Sequence, residues 1–270
     1  MPDMKKSGAR HPRKKWLLLA SITVIVLACG AGWWFRTPLL VIWQTASRRM
    51  EIGLRKVPQP DPKTYAIVIQ DLERGRKNLA ERHRKAKTAA ERAVVETEAR
   101  SLLERALPTM MRCWLGTPWD FNGTAKGPGE GKIACGYFVS TVLKDAGFQL
   151  DRYQLAQQPS GNILRSFLPK DSCVLTCGEE YQAFASKMEN RGPGVYIVGL
   201  DSHVAFIVVD AKGFRLLHSS GSRPWCVVDE CRTEAGALRR SNWRMVGNLT
   251  ADPAVLRHWL KAEKIVVRGA

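Results

Sequence analysis

The chain has 270 residues, of which 45% are apolar, and a formal net charge of +17. The apolar share is normal for a globular protein and leaves room for a sizeable core in one large domain or two small ones. No zinc finger, glycine-rich phosphate loop or aromatic RNA motif accompanies the basic charge, so nucleic acid is not the expected partner.

The charge is concentrated at the start. Residues 1–60 carry eleven Lys or Arg against two acids, Asp3 and Glu51. Residues 1–15 read as a basic cytoplasmic tail. Residues 16–35 contain no charge at all, and a bilayer core needs about 20 residues of helix. This stretch is read as a transmembrane anchor. Lys5, Lys6, Arg10, Arg13, Lys14 and Lys15 precede it, which places the N-terminus inside. The expected location is a bacterial inner membrane, crossed once, with everything from residue 36 onward extracytoplasmic (periplasmic). The basic flanks then face anionic lipid or an anionic envelope polymer. A lipoprotein is the rival reading, because Val26-Leu27-Ala28-Cys29-Gly30 resembles a lipobox, but apolar residues continue past Cys29 through Trp33, Trp34 and Phe35.

Residues 36–63 form a juxtamembrane segment ending in Val57-Pro58-Gln59-Pro60-Asp61-Pro62, a stiff linker. Residues 64–99 are predicted to be a charged helical region. It has too few large apolar side chains for a core of its own, so it should be a solvated helix or hairpin leaning on the domain C-terminal to it. Residues 100–250 carry the candidate chemistry. They open on an apolar helical stripe, Leu102, Leu103, Ala106, Leu107, Met110, Met111 and Trp114, which reads as core packing. A glycine-rich loop, residues 116–131, leads into a helix that starts near Cys135 and stops at Gly147. Residues 148–193 show no clear period. Three antiparallel strands come next, 194–199, 203–209 and 214–217, the last two joined by the hairpin turn Asp210-Ala211-Lys212-Gly213. Residues 251–270 hold a terminal helix capped by Asp252. Helices first and a sheet after make the fold class α+β.

Seven cysteines fit an oxidising compartment. Cys173 with Cys177 and Cys226 with Cys231 are read as disulfides, ahead of free buried thiols and a four-cysteine zinc site. Neither spacing is the two-residue one usual for zinc, and no metal or cofactor is expected. Cys113 has no evident partner.

Cys135 is the candidate nucleophile. A thiolate is the reactive form, and a helix N-terminus favours it through unpaired N–H groups. His203 opens one strand and His218 ends the next, so the hairpin can set them side by side: one as general base, the other orienting it.

These residues also carry a resemblance. Leu115-Gly116-Thr117-Pro118-Trp119 is similar to the Leu-Gly-Thr-Pro-Tyr opening of the NlpC-type cell-wall peptidases, a papain-like cysteine hydrolase superfamily. Ala134-Cys135-Gly136-Tyr137-Phe138-Val139 resembles their Asp-Cys-Ser-Gly-Phe-Val segment. Ser202-His203-Val204, with residues 214–219, resembles their two histidine strands. The resemblance covers residues 100–232 or so. It implies a papain-like fold, a Cys135, His203, His218 triad and hydrolysis of amide bonds in peptidoglycan stem peptides, with Trp119, Asn122 and Tyr137 against the substrate. Ala134 and Gly136 depart from the acidic and serine neighbours of the nucleophile, Trp119 from a tyrosine and Asn122 from a glycine. A non-catalytic envelope-binding module, and a thiol amidase or acyltransferase acting on another substrate, are the other readings.

Overall fold

The computed structural model describes residues 58–269. The basic tail, residues 16–35 with the expected transmembrane anchor, and Cys29 lie outside the described residues. Among the described residues no helix is long and apolar enough to cross a membrane.

Asp61 accepts from the Thr64 N–H at 3.0 Å and Pro62 occupies the first turn, so helix α1 (Pro62–Lys85) starts where both residue types belong. Helix α2 (Ala89–Cys113) starts at a capping box between Thr88 and Glu91. Together they form a hairpin, one of the two arrangements expected for this region, and it runs on to Cys113. Tyr65, Leu72 and Leu79 of α1 pack with Val95, Ala99 and Leu103 of α2. The buried stripe of α2 then continues through Leu107, Met110 and Met111, so residue 100 falls inside one helix and one apolar face. The proline-rich stretch is not a free spacer from Pro58 onward. The Asp61 N–H donates to the Cys113 carbonyl at 2.8 Å. A Cβ on Gly116, whose φ is +82°, would lie 1.9 Å from the Pro58 carbonyl oxygen, so only glycine permits that approach.

Helix α3 (Cys135–Asp145) is followed by α4 (Arg152–Ala156), α5 (Ser160–Phe167) and a short 3₁₀ turn, then strand β1 (Cys173–Cys177) and α6 (Tyr181–Asn190). Strands β2 (Gly194–Leu200), β3 (His203–Asp210), β4 (Gly213–Ser219) and β5 (Val227–Cys231), helix α7 (Gly236–Arg240), β6 (Trp243–Asn248) and α8 (Pro253–Lys261) complete the chain. The six strands form one antiparallel sheet in the order β1-β6-β2-β3-β4-β5. The α+β class is therefore met, and β2, β3 and β4 are the three predicted strands. The Asp210 carboxylate accepts from the Lys212 N–H in the turn, and Asp210 pairs with Gly213 across it.

Both faces of the sheet are covered. Ile197, Val204, Phe206 and Val208 pack toward α2, α3 and α8, whereas Val198, Ala205, Ile207 and Val209 pack toward α6 and α7. Alternate residues of a strand point to opposite faces, so double coverage turns β2 and β3 into unbroken apolar runs. Asp252 caps α8 as expected, and the indole of buried Trp259 donates to the Ala146 carbonyl at 2.7 Å, joining α8 to the end of α3.

The cysteine pairs are a correction. All six described cysteines are free thiols. Cys173 and Cys177 are the two ends of β1, about 13 Å apart at ~3.3 Å per extended residue. Cys226 and Cys231 bracket β5 over a slightly longer span. A disulfide needs Cα atoms roughly 5.5 Å apart, so extended backbone holds both pairs out of reach. Among the described residues no group of three or more His, Cys, Asp or Glu side chains is placed to hold a metal.

Candidate active site

Four segments converge at the end of the sheet where β3 begins and β4 ends. The loop of residues 116–131 is pinned by the Trp119 N–H to the Trp225 carbonyl at 2.8 Å and by the Ile133 N–H to the Pro118 carbonyl at 2.9 Å. The Ala134 N–H donates to the Gly123 carbonyl. A Cβ on Gly123 would sit 2.6 Å from the Ile133 nitrogen, which explains a glycine there. The Ser219 hydroxyl donates to the Ile133 carbonyl at 2.6 Å, so the residue after His218 is tied to the segment leading into Cys135.

Cys135 is the first residue of α3. Its N-cap, Ala134, has extended backbone and no side chain that can cap. The first N–H groups of the helix are thus left without a side-chain acceptor. Burial pushes the Cys135 thiol up, while the backbone N–H groups of Val204, Gly136 and Cys135 itself pull it down. Gly136 lies against α4: a Cβ there would come 2.3 Å from the Ala156 carbonyl oxygen.

His203 Nε2 and His218 Nδ1 are 2.7 Å apart, with the rings edge to face. His218 Nε2 is 3.2 Å from the Glu230 carboxylate. The strand register accounts for the row. Phe206 faces Leu217, and continuing that register sets His218 beside Ala205, two residues from His203. His218 faces Val228, two residues from Glu230. Each partner is a diagonal neighbour on one side of the sheet. Burial, and then the neighbouring His218, push the His203 imidazole down to about 3. The turn before His203 is clamped as well, because the Asp201 carboxylate accepts from the Ser241 hydroxyl and from the Asn242 and Trp243 N–H groups.

Cys135, His203 and His218 line one cleft of about 920 Å³. No hydrogen bond joins the Cys135 sulfur to His203; the polar groups acting on the thiol are backbone N–H groups. Trp119, Asn122 and Tyr137, the expected substrate contacts, line the same cleft. Trp119 packs on Trp225, ring centres 5.5 Å apart. Tyr137 is held from behind by Arg152, whose guanidinium lies 5.1 Å from its ring centre and donates to the Thr124 and Ala125 carbonyls.

Two contributors were not anticipated from the sequence. Glu230 lies in a stretch read there only for its flanking cysteines. Its signal was the alternation of β5, which places Val228 and Glu230 on one face. Trp225, half exposed, packed on Trp119 and in a left-handed backbone conformation (φ +59°), had no signal beyond its own bulk. Compared with family models, curated proteins and solved structures, the chain matched none.

Proposed function

We propose that the chain is a cysteine hydrolase of papain-like architecture that cleaves amide bonds in peptidoglycan stem peptides. It would be anchored through residues 16–35 with its α+β unit extracytoplasmic. The reading rests on one observation: a thiol at an uncapped helix N-terminus and a hydrogen-bonded histidine pair open on the same cleft. Cys135 passes its proton to His203 as its sulfur attacks the amide carbon. The tetrahedral oxyanion takes N–H donors from the start of α3. His203 returns the proton to the leaving amine, and water then attacks the acyl-enzyme with His203 again as base. His218 orients His203. The peptidoglycan assignment is supported by the sequence resemblance, and the membrane anchorage by residues 16–35.

A second reading has an observation of its own. The thiol is pushed up, the imidazole down, and no hydrogen bond joins them. A binding module on the same fold would look like this, whereas a hydrolase in this state starts from a neutral thiol and a neutral imidazole. One experiment separates the two. Full-length chain in detergent is incubated with purified muropeptides and with iodoacetamide. The hydrolase reading expects muropeptide cleavage that Cys135→Ala abolishes and faster alkylation at Cys135 than at Cys113. Cleavage that survives Cys135→Ala removes Cys135 from the mechanism. No cleavage, with Cys135 no more reactive than Cys113, leaves the binding module.

A further inference from the structure

We infer that Glu230 is a positioning residue that fixes the tautomers of both histidines. For its last step, the proton transfer from Cys135, this rests on the hydrolase reading above; the tautomer assignment itself does not. An ionised carboxylate only accepts hydrogen bonds. At 3.2 Å from Glu230, His218 Nε2 must therefore carry the proton. In a neutral imidazole the other nitrogen is then an acceptor. At 2.7 Å, His218 Nδ1 takes its hydrogen bond from His203 Nε2–H. His203 is left with a single basic atom, Nδ1, and the Cys135 proton goes there. The resulting imidazolium keeps its Nε2–H on His218, whose other N–H points at a negative charge, so the positive charge formed in the step is met by a row already oriented for it.

Burial shelters the middle of the row. His218 is 2% exposed, and the Glu230 side chain keeps 19% of its surface. Water has little access to His218 to substitute for the carboxylate. Without Glu230, a buried His218 Nε2–H has no acceptor, which costs roughly as much as any unsatisfied buried donor. The ring then favours the opposite tautomer, with Nδ1–H aimed at His203 Nε2. His203 must move its own proton to Nδ1, and its basic atom is lost to the thiol.

The test uses full-length chain labelled with ¹⁵N-histidine and long-range ¹H–¹⁵N correlation spectra near neutral pH, where the tautomer of each ring is read directly. Wild type should show His203 and His218 both protonated at Nε2. Glu230→Leu should move His218 to the Nδ1–H form and lower Cys135-dependent turnover by about 10²-fold or more, the range for loss of a general base. Glu230→Gln keeps an acceptor oxygen, so it should retain the wild-type tautomers and stay within about 10-fold in rate. The proposal is overturned if wild-type His218 is the Nδ1–H tautomer, or if Glu230→Leu leaves both rings as they were. It is also overturned if Glu230→Leu turns over as fast as wild type. Correct tautomers in a wild type that shows no Cys135-dependent turnover would sink the hydrolase reading and keep the Glu230 assignment.

Discussion

Ala134 stands where four other helices among the described residues, those begun by Asp61, Asp151, Glu180 and Asp252, carry an acidic cap. Asp151, Glu180 and Asp252 each accept from the second and third N–H groups of the helix they begin. At α3 the corresponding groups belong to Gly136 and Tyr137, and Ala134 offers them nothing. Ala134→Asp, with Ala134→Asn as the uncharged control, should capture both. Such a cap is worth about 1 kcal/mol, so the urea midpoint should rise. The thiolate should suffer in exchange. The Gly136 N–H is one of the groups holding the Cys135 thiol down, and a hydrogen bond to a charged group is worth about 1.5–3 kcal/mol. At about 1.36 kcal/mol per tenfold, its diversion raises the thiol pKa and should slow alkylation below it by about 10- to 100-fold. Asp should raise it further than Asn, because its charge repels the thiolate. The assay is the pH dependence of iodoacetamide incorporation at Cys135, read by mass spectrometry of its peptide, beside urea denaturation. Below the pKa, each unit is a tenfold loss of rate. A variant that gains stability while its alkylation profile stays on the wild-type curve would show that the α3 N–H groups do not hold the thiolate.

Two further outcomes are expected. His203 is held at about 3 in the folded chain against an ordinary 6.5, so between these values the unfolded chain binds a proton that the folded one does not. Stability should therefore be fully present above about pH 6.5 and fall as pH drops toward about 3, by up to about 1.4 kcal/mol per pH unit from this group. His203→Gln should flatten the slope in urea midpoints taken from about pH 4 to 7.5, and parallel curves would refute it. Gly136→Ala should lower stability by about 1–3 kcal/mol, because its Cβ would press on the Ala156 carbonyl, backbone that cannot swing aside. A Gly136→Ala chain as stable as wild type in urea would mean that α4 yields freely.

Helices α1, α2, α3 and α8 and the central strands were legible because their signals are local, whereas α4 to α7 were not. The apolar stripe from Leu102 to Trp114, the stop at Gly147 and the cap at Asp252 each act within a few turns, and residues 194–217 alternate apolar runs with a hairpin turn. Strands β1, β5 and β6 were not legible. Cys173 to Cys177 and Val227 to Cys231 are five residues each, and their cysteines drew the eye to pairing rather than to extension. In β6, Arg244 is buried although charged; its guanidinium reaches the Leu238 and Glu179 carbonyls, partners from distant segments. At the site, Cys135 at a helix start and the adjacency of His203 and His218 came from helix and hairpin periodicity. Glu230 did not, because its place beside His218 depends on the register of a strand not foreseen. Gly136, which looked like a departure from a resembling serine, is explained by the α4 backbone occupying the space a side chain would need.

The contact between Pro58 and Gly116 has a mechanical consequence. The chain joins its domain three residues from Trp119, beside the cleft, while the tip of the α1–α2 hairpin lies some 36 Å away at ~1.5 Å per helical residue. A pull applied at Pro58 therefore reaches the loop that carries Trp119 directly, without passing through the hairpin. The cleft gains no lever arm from the hairpin.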